Sequence, residues 1–375
     1  MNPFVIKGYV SPAYFCDRNK ETNELLNNIL NGSDTMLLSP RRYGKTGLIL
    51  HAFNKLTEKR PEIVTIYADI FATLSLADFI KTLADAIAAK FPEKTNAGKK
   101  LMTFLKGLRP FITYDPVTDA PQIQFNFVSE KDKEYTLKGL LDFLNDQQTM
   151  VILAIDEFQQ IREYPEKNTE AMLRSCTQHT NNIRYIFSGS KQHVMAKMFH
   201  EAGSPFFSSA KSLSLDKIDA VEYASFIRHK FEDSGIKTDD EAIDMILDWS
   251  RRHTFYTQSL CNQIYSMSPD HVNINAVESA CSEILDREAP TFLQYRSMLT
   301  PAQWKMLIAI AKEDKVRHIT SASFLSRYRL SNATTAKRSV LSLAGQELLM
   351  TESTKEGTDY LIYNLFFSRW LQREY

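Results

Sequence analysis

Short apolar runs alternate with amphipathic stretches along roughly the first 216 residues of this 375-residue chain. The run at 151–155 is continuously apolar, as is typical of a strand buried on both faces, and the stretches between the runs carry apolar residues at helical spacing. The predicted strands are 36–38, 63–67, 151–155, 184–190 and 212–215, and the predicted helices are 22–31, 45–58, 76–91, 99–108 and 136–146. Strands separated by helices predict an α/β fold, a doubly wound parallel sheet that binds ligands at the carboxyl ends of its strands.

One segment interrupts this alternation. Residues 123–127 alternate between polar and apolar side chains after an Asp-Pro pair at 115–116. We expect a hairpin inserted within 109–130, whose role the sequence does not indicate.

Beyond residue 216 the β-branched runs stop, and 220–265 carries several short amphipathic helices that predict a small helical domain. The chain then gives three helices at 303–312, 321–328 and 331–343, followed by two short strands at 348–351 and 360–363. That order is typical of a winged helix-turn-helix. The expected domains are therefore 1–216, a helical lid at 217–292 and a winged helix at 293–375.

Composition narrows the classes of partner. Lys plus Arg and Asp plus Glu both number 45, so the neutral chain has no overall field that attracts nucleic acid or anionic membrane. No apolar run approaches the ~18 residues of a membrane span, and the amino terminus does not resemble a signal peptide. Cys16, Cys176, Cys261 and Cys281 are too far apart for a zinc or disulfide framework. We expect no membrane partner, buried thiols and a cytoplasmic protein.

Candidate chemistry begins where the first predicted strand ends. The turn there matches G-x-x-x-x-G-K-[ST], except that its first glycine is replaced by serine. Its residues are Ser39, Pro40, Arg41, Arg42, Tyr43, Gly44, Lys45, Thr46 and Gly47. In such a turn, backbone N–H groups surround phosphates, the lysine reaches the outer phosphates and the hydroxyl holds Mg²⁺. The alternative is a strand-turn-helix without a ligand.

A second signal follows about 110 residues later. Residues 151–155 form an apolar run that ends in Asp156 and Glu157. In a phosphate-binding fold, Asp156 would hold Mg²⁺ through its water shell and Glu157 would polarise the attacking water. A helix N-cap is the alternative role, and the Gly-Lys-Thr turn argues against it.

Five segments together resemble a known family. They are Phe15 with Asp17 and Arg18, the turn 40–46, Ile155 to Phe158, Ser188 to Ser190, and the terminal winged helix. The chain is similar to the prokaryotic ATPase family of the AAA+ superfamily. Within it, the chain resembles the branch grouped with STAND signalling ATPases and related to archaeal origin-recognition proteins. The most specific element is Pro-Arg-Arg-x-Gly-Lys-Thr, because general phosphate loops do not require the arginines.

The resemblance implies roles for individual residues. Lys45 would bind the β and γ phosphates, Thr46 and Asp156 would hold Mg²⁺, and Glu157 would orient water. Ser190 stands where the family carries its polar sensor of the γ phosphate, although a solvated strand end is the alternative.

The segment of Asp17 and Arg18 corresponds to the one that passes the adenine in this family. A surface salt bridge is an equally good interpretation of the pair.

Three departures from the family pattern favour slow hydrolysis. Ser39 replaces a glycine, and Ser208-Ser209 stands where the family has a Gly-Arg pair, so an arginine finger is missing there. Arg252-His253-Thr254-Phe255 replaces a turn that usually approaches the nucleotide. His253 or Arg252 would still reach a phosphate, or else face solvent. An arginine finger is worth roughly three to five orders of magnitude in rate.

ATP is favoured over GTP because the chain has neither an Asn-Lys-x-Asp strand end nor a D-x-x-G switch; Gln159 occupies the position of the third residue after Asp156. The expected ligands are therefore ATP or ADP with Mg²⁺.

A local basic segment lies in the predicted winged helix. Residues 315–338 contain six Lys or Arg and no acid, and Thr334, Thr335, Lys337 and Arg338 would begin the recognition helix. DNA is a candidate partner through this segment. The alternatives are a solvated face and a module that holds the nucleotide domain shut.

Three hypotheses follow: a slow ATPase switch that recruits a protein partner, an ATP-dependent DNA-binding regulator, and a degenerate phosphate-loop scaffold without turnover. The sequence gives neither the partner nor the oligomeric state.

Overall fold

The computed structural model describes residues 2–107, 111–114, 121–125, 127–354 and 356–375. The chain divides into two compact units. The first unit is Lys7–Ile218, and the second combines Met1–Ile6 with Asp219–Tyr375.

The first unit is built on a parallel sheet of five strands in the order β2-β5-β6-β1-β7. The strands of this unit are β1 (Thr35–Leu38), β2 (Val64–Asp69), β3 (Phe111–Tyr114), β4 (Pro121–Gln124), β5 (Val151–Asp156), β6 (Ile183–Gly189) and β7 (Lys211–Ser214). Its helices are α1 (Asn19–Leu30), α2 (Lys45–Lys59), α3 (Leu76–Lys90), α4 (Asn96–Gly107), α5 (Glu130–Asn145), α6 (Thr169–Thr177) and α7 (Gln192–His200). Two 3₁₀ turns cover Pro12–Tyr14 and Phe158–Glu163.

Helices cover both faces of the sheet, as the continuous apolar strands predicted. Along β5, Val151, Leu153 and Ile155 point into a core shared with α3, α5 and α7. The alternate residues Ile152 and Ala154 point into a second core formed with α1 and α2. This arrangement confirms the predicted α/β class with a central parallel sheet.

The inserted segment contains an antiparallel pair, β3 and β4. The prediction placed the alternating strand at 123–127, whereas β4 ends at Gln124 and residue 126 lies outside the described residues. The next helix, α5, begins six residues earlier than predicted because Ser129 caps it. The hydroxyl of Ser129 accepts the N–H of Asp132, and the Asp132 carboxylate accepts the N–H of Ser129.

The second unit is mainly helical. Its helices are α8 (Ala220–Glu232), α9 (Asp240–Trp249), α10 (Thr254–Ser266), α11 (Ile274–Met298), α12 (Pro301–Lys312), α13 (Ala322–Arg327), α14 (Ala333–Gly345) and α15 (Leu365–Glu374). Its strands are β8 (Lys237–Thr238), β9 (His271–Val272), β10 (Leu349–Thr354) and β11 (Gly357–Ile362). The order α12, α13, α14, β10, β11 is that of the predicted winged helix. The long helix α11 runs without a break through the expected domain boundary at 292–293.

The winged helix is fastened to the lid helices inside this unit. The ring of Phe366 on α15 lies 4.8 Å from that of Tyr256 and 5.7 Å from that of Trp249. The guanidinium of Arg369 donates to the carbonyl of Trp249 at 3.0 Å, and Arg251 forms an ion pair with Asp314. The lid helices and the winged helix therefore share one packed body.

Three of the four cysteines are buried, and Cys176 is only half-buried; all four are free thiols. Burial raises the pKa of Cys176 to about 11 and that of Cys281 to about 12, so both thiols stay protonated near neutral pH. Among the described residues, no helix combines the length and apolarity needed to span a bilayer.

Candidate nucleotide and metal site

The polar residues predicted for the site meet at one edge of the sheet. In the parallel register, Leu38 lies beside Gly189 and Asp69 beside Asp156. The ends of β1, β2, β5 and β6 therefore bring the Gly-Lys-Thr turn, the two carboxylates and Ser190 to the same edge.

The turn from 39 to 44 forms without a glycine at its first position. Positive φ angles occur at Arg42 (65°) and Gly44 (98°) but not at Ser39. Ser39 is buried, and its hydroxyl donates to the carbonyl of Pro40 at 2.9 Å. The conformational freedom of glycine is thus needed at Gly44, and serine at position 39 costs the turn nothing in backbone strain.

Helix α2 begins at Lys45, directly after Gly44. Its first N–H groups have no partner within the helix, which makes this end a favourable position for phosphate oxygens. A Cβ atom at Gly47 would lie 3.2 Å from the ring of Phe15, so glycine lets the amino-terminal segment approach α2 closely.

Asp156 and Thr46 are in direct contact. The Thr46 hydroxyl donates to Asp156 Oδ2 at 2.7 Å, and the Tyr67 hydroxyl donates to the same oxygen at 2.7 Å. The backbone N–H of Glu157 donates to Asp156 Oδ1 at 3.0 Å. Burial alone would raise the pKa of Asp156, but the charge of Lys45 and the hydroxyl groups of Ser188, Thr46 and Tyr67 lower it below its ordinary value.

Glu157 has a separate set of partners. Its carboxylate lies 3.4 Å from Lys45 Nζ, and it accepts hydrogen bonds from Ser190 at 2.7 Å and from the side-chain amide of Gln159. Its backbone is left-handed, with φ 56°, where β5 passes into the 3₁₀ turn. The two neighbouring carboxylates are therefore oriented by different groups, as two different roles would require.

The donor atoms of this site fit Mg²⁺. Mg²⁺ is usually bound through one or two protein oxygen ligands together with substrate phosphates and water. Thr46 and Asp156 provide a hydroxyl and an ionised carboxylate. Among the described residues, no cluster of three or more His, Cys, Asp or Glu forms a cage for another metal.

Arg18 lies against the phosphate turn. The residue is 4% exposed, and its guanidinium contacts Glu21 at 2.9 Å and the carbonyl of Tyr43 at 3.4 Å. Asp17 and Arg18 both have positive φ. Arg18 thus forms a buried salt bridge with Glu21, which differs from the surface salt bridge considered from the sequence, and it also reaches the turn.

An aromatic group lies beside α2. The ring of Phe15 stacks on that of His51 with centroids 4.3 Å apart, and the Tyr9 hydroxyl lies 3.0 Å from His51 Nδ1. Burial lowers the pKa of His51, so this ring is neutral near pH 7.

Other predicted residues lie at the margin of the site or outside the first unit. Arg41 and Arg42 are exposed, and the Arg41 guanidinium lies 5.5 Å from the centre of the Phe71 ring. His253 belongs to the second unit, where it precedes α10 and its ring lies 4.6 Å from that of Tyr256. A nucleotide-contacting role for His253 stays a prediction.

Sequence reasoning missed Tyr67 and Gln159 as neighbours of the two carboxylates. Tyr67 lies within a strand whose β-branched run gave no chemical signal. In the sequence, Gln159 was considered only because it does not match the glycine of the GTPase D-x-x-G motif. Asp69, at the end of β2, is a third carboxylate near the site; burial, and then the charges of Asp156 and Glu157, raise its pKa.

The basic segment 315–338 is less positive than its sequence suggests. Lys315 and Arg317 pair with Asp359 at 3.7 and 2.8 Å, Arg317 also pairs with Glu356, and Arg327 pairs with Glu313. Acids from outside the segment therefore offset three of its six basic charges.

The start of α14 keeps its charge exposed. Asn332 caps this helix, and Thr334, Lys337, Arg338 and Leu341 are all exposed along it. Their spacing places them on one face of the helix.

The parallel sheet, the glycine-lysine-threonine turn before α2, and the separately held carboxylates are those of a P-loop ATPase domain, and a winged helix follows. The chain belongs to the family described as "ATPase domain predominantly from Archaea", whose profile matches residues 15–251. A second profile, "probable winged helix domain", matches residues 290–373.

Solved structures share this fold at low sequence identity. A Walker-type ATPase of Pyrococcus abyssi is 17% identical, covers 99% of both chains and gives a TM-score of 0.65. The ORC2 protein of Aeropyrum pernix, solved with ADPNP and ADP, is 14% identical over 100% of this chain and 98% of that one, with a TM-score of 0.58. The ORC1 protein of Aeropyrum pernix, solved in complex with DNA, is 13% identical over 97% and 95%, with a TM-score of 0.53. A comparison with curated proteins gave no match.

Proposed function

We propose that the protein binds ATP with Mg²⁺ at the turn before α2, hydrolyses it slowly, and acts as a STAND-type switch. The observation that carries this proposal is the network at the strand ends. Thr46 contacts Asp156, while Lys45 and Ser190 both contact Glu157. These five side chains are of the kinds that phosphate, metal and water require in a phosphate-loop enzyme.

In this proposal Lys45 and the N–H groups of the turn bind the phosphates, and Thr46 and Asp156 hold Mg²⁺. Bound there, Mg²⁺ would neutralise phosphate charge. Arg18 supports the turn through the Tyr43 carbonyl.

Glu157 orients the attacking water once its present partners release it. A γ phosphate competes with Glu157 for Lys45 and for Ser190, because both groups donate hydrogen bonds that a phosphate oxygen accepts. ATP therefore frees Glu157 in a way that ADP does not. With serines at 208–209, no arginine from that segment stabilises the transition state, and turnover stays slow.

The output of the switch is the position of the second unit. Because α15 fastens the winged helix to the lid helices, a movement of the lid carries the winged helix with it. The winged helix then exposes or covers a surface that recruits a protein partner.

Limited proteolysis tests this switch. Protein loaded with ADP, with a non-hydrolysable ATP analogue, or with neither should give different cleavage patterns or rates within 219–375. The Lys45→Ala variant is the matched control and should give one pattern in all three conditions. Identical patterns for the wild type in the presence of saturating nucleotides would refute the switch.

The exposed face of α14 supports a second candidate function, an ATP-dependent DNA-binding regulator. Thr334, Lys337 and Arg338 extend from the first turns of the helix that reads DNA in winged helix-turn-helix proteins. Binding of a fluorescent duplex at low salt should weaken at least tenfold in the double variant Lys337→Glu, Arg338→Glu. A charge change at Lys315, which already pairs with Asp359, should matter less. Undetectable binding by the wild type would remove this candidate.

A further inference from the structure

Tyr67 reaches the candidate metal site from a neighbouring strand. It lies on β2, opposite Ala154 of β5, and its half-buried side chain ends at Asp156. The Tyr67 hydroxyl and the Thr46 hydroxyl donate to the same oxygen, Oδ2, each at 2.7 Å.

This arrangement fixes both the carboxylate and the threonine. Donation from Thr46 to Asp156 uses the hydroxyl proton of the threonine, so its oxygen lone pairs are left for a cation. The Asp156 carboxylate can accept the hydrogen bond from Thr46 only while Oδ2 faces the threonine. Tyr67 and the Glu157 N–H hold it from two sides, through Oδ2 and Oδ1 respectively.

The tyrosine is suited to a donor role. A phenol has an ordinary pKa of about 10, so Tyr67 carries a proton near neutral pH and can donate it to the carboxylate. The hydroxyl also has a hydrogen-bond acceptor, the Asp156 carboxylate, which an apolar core position would not provide.

We propose that Tyr67 is a positioning residue of the magnesium site, one that orients Asp156 and, through it, the Thr46 hydroxyl. This inference rests on the proposed function, because it assigns a role toward the cation bound with the nucleotide. It assigns Tyr67 no contact with nucleotide or water. Partners that orient metal ligands typically contribute about tenfold or more to metal affinity.

The test measures how the affinity for ADP depends on free Mg²⁺, with a fluorescent ADP as probe. Tyr67→Phe should raise, about tenfold, the Mg²⁺ concentration that gives half of the change in ADP affinity. It should leave the affinity for ADP in EDTA within about twofold of the wild type. The readout requires no hydrolysis. The unchanged affinity in EDTA also reports that the variant is folded.

Tyr185→Phe is the matched control. It removes a buried tyrosine hydroxyl from the same sheet, where that group lies 3.0 Å from Thr180 rather than near Asp156. The Mg²⁺ midpoint and the affinity for ADP in EDTA of Tyr185→Phe should both equal those of the wild type. An unchanged Mg²⁺ midpoint in Tyr67→Phe, or an equal loss of affinity with and without Mg²⁺, would overturn this inference and leave the proposed function standing. A wild type that binds no ADP would overturn both.

Discussion

Replacement of Glu157 by glutamine tests the assignment of the water-orienting residue. The two side chains have nearly the same shape, so the oxygen of the new amide can still accept hydrogen bonds from Ser190 and Gln159. The change removes the negative charge that lies 3.4 Å from Lys45. At an effective dielectric constant of 20, that pair has a gross attraction of about 5 kcal/mol, most of which desolvation offsets.

Glu157→Gln should affect ATP binding and ATP turnover in opposite directions. Lys45 is no longer shared with a carboxylate, so the affinity for ATP should stay equal or rise slightly. Turnover should fall about 10²- to 10³-fold, which is at the lower end of the usual contribution of a positioned general base. This loss corresponds to about 2.7 to 4.1 kcal/mol of activation free energy.

The assay is single-turnover hydrolysis of radiolabelled ATP with protein in excess, because slow enzymes release little product. Glu163→Gln is the matched control, since Glu163 also lies 3.4 Å from a lysine, Lys191, but that pair is exposed. This control should hydrolyse ATP like the wild type. Turnover by Glu157→Gln within threefold of the wild type would refute the role of Glu157, and a wild type that binds ATP without turnover would support the scaffold hypothesis.

Three further predictions concern packing and the phosphate turn. Ser39→Gly should leave the affinity for ATP within about twofold of the wild type. Gly44→Ala forces a side chain into φ 98°, which should cost the turn about 1–2 kcal/mol of backbone strain and weaken ATP binding. Isothermal titration calorimetry distinguishes the two variants, and equal effects on ATP affinity would contradict these roles. Arg18→Ala should weaken ATP binding severalfold, by loosening the turn at the Tyr43 carbonyl, and unchanged affinity would exclude this support. Phe366→Ala should lower the unfolding free energy of the second unit by about 3–5 kcal/mol in urea; a loss below 1 kcal/mol would show that the ring does not fasten the winged helix to the lid.

The sheet and the order of its elements were predictable because β1 and β5 are buried on both faces and stretches with helical spacing separate the strands. Asp156 and Glu157 follow such a strand directly, and the register of β5 beside β2 and β6 then places them at the sheet edge. The start of α5 was missed because its signal is a short Ser-x-x-Asp cap rather than apolar spacing.

Contacts across strands could not be predicted in the same way. Tyr67 meets Asp156 only because β2 is hydrogen-bonded to β5, and the sequence pattern does not fix that strand order. Counting the charges within one segment likewise misses acidic partners that lie elsewhere in the chain. Asp359 lies far from Lys315 and Arg317 in the chain, but the hairpin of β10 and β11 brings it to them.

The affinity of the Lys45→Ala variant for ATP tests the central claim most directly. Lys45 is 6% exposed and lies at the start of α2, beside Glu157. Isothermal titration of ATP with Mg²⁺ should show at least a tenfold to hundredfold loss of affinity, as expected when charge-assisted hydrogen bonds to phosphate disappear. The control Lys55→Ala, on the same helix, should bind ATP like the wild type. Equal affinity of Lys45→Ala and the wild type would contradict the assignment of this turn as the phosphate-binding site.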